Sequence, residues 1–269
     1  MDTLDVAEFP QRPTVIGTTT TVPAYTMESL AVVAGCASTD ETRYVLNGVL
    51  FTPEDGGTLV ATDGRKLGSA PAVVPPVPFI LANAAVHVLA HPDFIGQGAE
   101  ITVSEVADDL TVAIRSGNHL LVSKTIAGNY PNYRMVIPHL VPELVTIAGD
   151  RRPGVIAWLR ALPDTRAAVR LSWEKRGQLT LTRSTESSGT AVLRVPVEIH
   201  GNPPVIAFNP RFLADALEIG STLCLSDGLT PGVCRHPSGR FCLIMPCRIA
   251  GEIADDRGEK AGVVPAMAA

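Results

Sequence analysis

The sequence predicts an α+β chain laid out twice on one plan. Three observations carry this. Short runs rich in Val, Ile, Leu and Thr are separated by turn dipeptides, and two helical stretches fall in each half. Each half also runs strand, helix, strands, strand, helix, strands, an internal repeat of a sheet with two helices on one face. The 269 residues are 46% apolar and 18% charged, which suits a folded chain and excludes a disordered one. Aromatics supply only 5%, so Val, Ile, Leu and Ala must build the core.

Taken in order, TVIGTTTTVP reads as a Thr- and Val-rich strand. A helix is expected from Pro23 to Ala37, with Pro23 in its first turn and Tyr25, Leu30, Val33 and Ala34 as its apolar face. The stretch Arg43 to Ala70 then supplies two strands, Tyr44–Thr52 and Thr58–Thr62, joined by PEDGG. A second sharp corner stands at Thr62-Asp63-Gly64, because Gly accepts positive φ and Asp can bond the local backbone. Arg65, Lys66 and Leu67 follow on a segment expected to lead away from the sheet. APAVVPPVPFI is a proline-rich crossing, and a nearly uncharged helix is expected over Pro78–Ala90. ITVSEV, LTVAIRS, HLLVSKTIA and LVTIAG read as strands, with turns at Asp108-Asp109 and Gly117-Asn118. GNYPNYRMVIP, Gly128 to Pro138, reads as a rigid exposed connector, and the domain boundary is expected near Pro138–Pro142.

The second half repeats the order. A helix is expected from Val155 to Leu162, then strands RAAVRLSWEK and QLTLTRSTE around an Arg176-Gly177 turn, then a strand AVLRVPVEIHG. FNPRFLADALEI is a helix whose start is set by Asn209 as N-cap and Pro210 at the first helical position. STLCLSDG, GVCRHPS and RFCLIMPCRI close the fold as strands. The domains are thus read as 14–139 and 140–249, and 250–269 as a flexible C-terminal tail.

Charge is uneven. Up to His139 there are 7 basic and 14 acidic residues; from Leu140 to Ile249 there are 13 basic, all but one arginine, and 9 acidic. This asymmetry suits polyanion contact by the basic half or head-to-tail pairing of unlike halves. No apolar run is long enough to span a bilayer and the N-terminus lacks a hydrophobic signal segment, so the expectation is a cytoplasmic protein with no membrane partner. The five cysteines contain no C-x-x-C pair and read as small buried hydrophobes. His87 and His91 lie at i, i+4 without the carboxylate of H-E-x-x-H, and no metal is expected. No G-x-G-x-x-G, P-loop or G-x-S-x-G occurs and no nucleophile–base set stands out, so neither catalysis nor a cofactor is expected.

Four stretches in order, RYVLNGVLF with ATDGRKL, SKTIAGNYPNYRMVIP, FNPRFLADAL and FCLIMPCRI, resemble the bacterial DNA polymerase III β subunit, the β sliding clamp. The likeness covers roughly Thr14 to Ile249 and matches the family's second and third domains. It implies two DNA-clamp domains of the processivity fold. It also implies a ring around double-stranded DNA held without base-specific contact, and a pocket for short linear peptides of DNA polymerase and the clamp loader. Carried over, the pocket falls on Leu46, Thr62, Gly64, Arg65, Leu67, Pro131, Val136, Leu243, Met245, Pro246, Cys247 and Arg248. Those residue types suit peptide capture, since they offer an apolar slot for a Leu or Phe anchor, an adaptable Met, and a basic rim for polar peptide groups. Arg65-Lys66 stands where the family commonly has His-Arg, Met135 where it often has a second Arg, and Cys247 where Met is common.

Two departures shape the expected assembly. A family member carries a further domain ahead of the segment matching Thr14, and its ring is two chains of three domains; here about a dozen residues precede Thr14. A ring of six domains would then need three chains, so a homotrimer is expected. The helices of the first half carry no Lys or Arg, leaving Arg151, Arg152, Arg160 and Arg211 to face DNA. The rival reading is a clamp-like adaptor or decoy that keeps the peptide pocket and does not encircle DNA. The tail from Ala250, with its apolar end VVPAM, is a further candidate to compete for that pocket.

Overall fold

A computed structural model describes residues 14–106, 109–138, 142–163, 167–174, 177–185 and 189–248. The tail from Ala250, most of the expected boundary at Pro138–Pro142, and the turn residues Asp108 and Arg176 lie outside the described residues. The chain divides into two compact units between Asn132 and Tyr133.

The first unit runs β1 (Thr18–Val22), α1 (Ala24–Ala34), a 3₁₀ helix at Glu41–Leu46, β2 (Gly48–Thr52), β3 (Thr58–Thr62), β4 (Lys66–Pro71), β5 (Phe79–Ala82), α2 (Asn83–Leu89), β6 (Ala99–Val106), β7 (Asp109–Ser116) and β8 (His119–Lys124). Its strands form two antiparallel arrays, β4-β3-β2-β5 and β1-β6-β7-β8. The two helices pack on each other and on the β2–β5 array. Met27, Leu30 and Val33 of α1, with Val86 and Leu89 of α2, are buried, as are Val49, Phe51, Leu59 and Leu81 in the strands beneath. Phe51 and Phe79 sit opposite each other in the ladder and stack with centroids 4.6 Å apart, a cross-strand pair that pins the register. Gly48 has a steric reason: a Cβ there would lie 2.3 Å from the Leu81 carbonyl oxygen.

Several local expectations are corrected here. The expected strand Tyr44–Thr52 begins only at Gly48. Asp40 accepts a hydrogen bond from the Thr42 amide at 3.0 Å and starts a 3₁₀ turn that runs to Leu46. The segment after Gly64 does not leave the sheet; β4 folds back on β3 with Thr62 opposite Leu67. The helix expected over Pro78–Ala90 is half strand. Phe79–Ala82 pairs with β2, and the helix begins at Asn83, whose side chain donates to the Ser38 carbonyl at 2.7 Å. Ladder pairing and burial outweigh helix propensity there. The face of α1 is rotated from the expected one: Thr26, Met27 and Ser29 are buried, while Tyr25 is half exposed.

The second unit opens with a 3₁₀ turn at Tyr133–Val136. It continues with β9 (Glu143–Thr146), α3 (Arg152–Ala161), β10 (Val169–Glu174), β11 (Gln178–Thr185), β12 (Gly189–Pro196), β13 (Glu198–Ile199), β14 (Ile206–Phe208), α4 (Pro210–Ile219), β15 (Thr222–Cys224), β16 (Gly232–Arg235) and β17 (Phe241–Ile244). The arrays are β12-β11-β10-β14 and β13-β9-β15-β16-β17. Helices α3 and α4 pack together, and α4 lies on β16 and β17. As the sequence predicts, the Asn209 side chain accepts from the amides of Arg211 at 2.9 Å and Phe212 at 3.4 Å, with Pro210 opening the helix. Leu213, Ala214, Ala216, Leu217 and Ile219 form its buried stripe. Two details differ: α3 starts three residues before Val155, and the expected strand 191–201 is divided between two arrays after Pro196. The Val197 amide closes on Gly177 at 2.8 Å, and His200 joins Leu144 at 2.8 Å.

Among the described residues, no helix is long and apolar enough to cross a membrane, and no three His, Cys, Asp or Glu side chains gather as a metal site would require. His91 pairs instead with Asp93 at 3.3 Å. Cys36, Cys224, Cys234 and Cys242 are buried. Burial pushes the Cys224 thiol up to about 11 and that of Cys234 higher still, so both act as apolar filler rather than as nucleophiles.

Candidate functional site

In the first unit Thr62, Gly64, Arg65 and Leu67 lie on the β3–β4 hairpin, Leu46 ends the 3₁₀ turn before β2, and Pro131 lies beyond β8. The corner is built by a dense local network. The Thr62 hydroxyl donates to the Lys66 carbonyl at 2.6 Å and accepts the Gly64 amide at 3.0 Å. Asp63 Oδ1 accepts the amides of Arg65 at 2.8 Å and Lys66 at 2.9 Å. Gly64 stands at φ +84°, left-handed backbone that glycine adopts without cost. Arg43 braces the corner from outside, its Nη1 donating to the Asp63 carbonyl at 3.1 Å. Sequence reading missed that role, since nothing local links two residues 20 apart.

The hairpin sorts its predicted residues by depth. Leu67 and Leu46 are buried at 2% and 8% exposure, and Thr62 is buried at 9%. Arg65 and Pro131 are exposed. Lys66, expected with Arg65 on a segment leading away from the sheet, is buried at 8%, and its ammonium donates to the carbonyl of Gly35 at the C-terminal end of α1. That end has no basic residue of its own, so Lys66 supplies the cation that a helix C-terminus favours. The exposed cation of the rim on this hairpin is Arg65.

In the second unit the predicted residues fall on two segments. Val136 closes the 3₁₀ turn, half exposed beside Met135, which is 82% exposed. Arg134 lies over the Tyr133 ring, 4.9 Å from its centroid, a cation–π contact that rigidifies this connector. On the other segment Leu243 is buried within β17, while Met245 emerges 44% exposed. The chain then runs beside β14: Pro246 bridges Phe208, and the Cys247 amide donates to the Ala207 carbonyl at 2.7 Å. Arg248 is exposed. Met135, Val136 and Met245 are therefore apolar groups left exposed to water.

The four arginines predicted to face DNA are not equivalent. Arg160 on α3 donates to Asp215 at 3.0 Å and Glu218 at 2.8 Å, both on α4. Partial burial works against its charge, yet the bond to Glu218 and the field of both carboxylates outweigh this and hold its pKa above the ordinary value. Its charge is spent inside the helix pair. Arg151 is paired with neighbouring Asp150 at 3.2 Å. Arg152 and Arg211 have no carboxylate within ion-pair distance among the described residues. In the first unit neither α1 (AYTMESLAVVA) nor α2 (NAAVHVL) carries Lys or Arg.

No family model matches the sequence. The chain is 29% identical over 222 residues to the beta sliding clamp of Chlamydia muridarum, covering 79% of this chain and 60% of that protein. It is 31% identical over 274 residues to the beta sliding clamp of Synechocystis, covering 91% of this chain and 70% of that protein. Among solved structures, the DNA polymerase III subunit beta sliding clamp of Bartonella birtlesii superposes with a TM-score of 0.76 at 26% identity, over 91% of this chain and 70% of that one. The chain spans 52% to 60% of the length of the first curated relatives it matches.

Proposed function

The chain belongs to the β sliding clamp family, and on that premise we propose that it acts as a DNA sliding clamp, a polymerase processivity factor. Its role is mechanical rather than catalytic. Copies of the chain close a ring around duplex DNA, and partners are tethered to it by short peptides. The observation that carries this reading is that the clamp fold runs through both units, over 91% of the chain.

The predicted residues of each unit, taken separately, are proposed contacts for the partner peptide from DNA polymerase or a clamp loader. Met135, Val136 and Met245 supply exposed apolar surface, with Met able to adapt to varied anchors. Arg65 and Arg248 supply exposed cations for polar or acidic peptide groups. In the first unit Leu46, Thr62 and Leu67 are buried and Gly64 turns the backbone, with Pro131 exposed; in the second Leu243 is buried and Pro246 and Cys247 hold the backbone to Phe208 and Ala207. For a polypeptide of these 269 residues, six domains are reached by three copies. Each unit also offers a four-stranded array with an edge strand paired on one side only, β8 in one and β12 in the other. Such edges are natural sites of chain-to-chain pairing, and the acidic first half meeting the basic second favours head-to-tail contact.

DNA contact in this reading is weak, salt-sensitive and sequence-independent, with retention owed to topology. The adaptor reading is favoured by one observation, the cation-free helices of the first unit. One experiment separates the two. After assembly on closed circular duplex, with a clamp loader where needed, a clamp stays with the circle through gel filtration and is lost once the circle is linearised. Peptide binding without any circle-dependent retention would select the adaptor.

A further inference from the structure

A second set of basic groups stands on the β16–β17 hairpin, at positions that no motif in the sequence singles out. Hydrogen bonds carry the geometry from strand to strand. The Ile147 amide donates to the Ser221 carbonyl at 3.0 Å, and the Ser221 amide donates to the Arg235 carbonyl at 3.0 Å. The His236 amide then closes the hairpin on the Arg240 carbonyl at 2.9 Å. On the other side of Ile147 the chain turns at once into α3, the Arg152 amide bonding the Ala148 carbonyl at 3.1 Å. The first turn of α3 and the hairpin tip are thus held side by side. Arg152, His236 and Arg240 are each half-buried. Partial burial first, then the fields of Arg240 and Arg152, press the His236 imidazole below its ordinary pKa. No carboxylate enters that balance.

The groups are also prepared to donate. His236 Nδ1 accepts the Ser238 amide at 3.1 Å, which leaves the proton of the neutral ring on Nε2. Arg240 Nε is enclosed with no acceptor, and its guanidinium has no counter-charge among the described residues. Like charges held together without acids are unfavourable unless a polyanion joins them. Phosphodiester oxygens are the acceptors that suit two arginines and an imidazole N–H at once.

We propose that Arg152, His236 and Arg240 form a phosphate-contacting site for the backbone of duplex DNA. It rests on the clamp reading and takes over from Arg160, whose charge is neutralised by Asp215 and Glu218. The site reads charge and spacing, not base sequence.

The test measures binding of the full chain to a short fluorescent duplex by anisotropy across a salt series. The expected result is that R152Q/R240Q lowers the slope of log affinity against log salt by about two, one for each phosphate no longer neutralised. R115Q/R170Q removes the same charge from exposed positions on β7 and β10 and should leave the slope nearly unchanged. S238E, at an exposed tip position that bears no core, should weaken binding without altering thermal stability. Equal losses in both double variants would mean bulk charge and overturn the site, as would unchanged binding in R152Q/R240Q and S238E. No binding by the wild-type chain at low salt would also overturn the site, whereas the DNA reading on which it rests falls only if retention on closed circular duplex fails.

Discussion

At the scale of single residues, neighbours in sequence have opposite roles. Arg65 is exposed at the tip of the β3–β4 hairpin, and Lys66 is buried against the end of α1. Arg65→Ala should therefore weaken binding of an acidic partner peptide, by up to about tenfold at low salt, with little change in melting temperature. Lys66→Met should do the reverse, costing about 1–3 kcal/mol of stability in denaturant titration because the Gly35 carbonyl loses its donor, while peptide affinity of the folded protein holds. Asp227 offers a test through pH. Amides of Thr230 and Leu229, with the Thr230 hydroxyl, hold its carboxyl below the ordinary carboxylate range. A depressed pKa stabilises the folded state above the unfolded value of 3.8, and that contribution fades as pH falls through the lower folded value. Asp227→Ala should thus lower the melting temperature at pH 7, with the gap to wild type closing as the pH falls below 3.8.

Among elements, the β3–β4 hairpin is the most tightly specified. Thr62, Asp63 and Gly64 satisfy the corner's amides, and the fold-back of β4 buries Leu67 against the first unit's core. Gly64→Ala forces a Cβ into left-handed backbone 2.9 Å from Arg43 Nη1. A cost of about 1–2 kcal/mol is expected by chemical denaturation, with peptide affinity falling as the corner shifts. The α3–α4 pair behaves differently. Its Arg160 bridges are half exposed, so Arg160→Ala should cost under about 1 kcal/mol and leave DNA binding almost intact, since that charge is already neutralised.

For the whole molecule, the testable quantity is mass. A ring of three copies gives a light-scattering mass three times 28.4 kDa, and a persistent monomer or dimer at working concentration excludes it. Because unlike halves are proposed to meet, the association should loosen as salt rises.

Much of this was legible in the residues alone. Asn209-Pro210 announced the start of α4, Asp63-Gly64 announced a sharp corner, and QLTLTRST announced a strand. These signals act over a few residues, through caps, turns and alternation, and the repeated order of elements follows from them. The resemblance drawn from four short stretches is matched by the family and the fold. What the tertiary structure alone decided was pairing and depth. It made Phe79–Ala82 a strand rather than the start of a helix, because β2 lay open to pair with it. It turned β4 back on β3, sank Lys66 beneath Arg65, and set His236 and Arg240 beside Arg152. Each of those outcomes joins residues far apart in the chain, where burial and hydrogen bonding across strands outweigh local propensity.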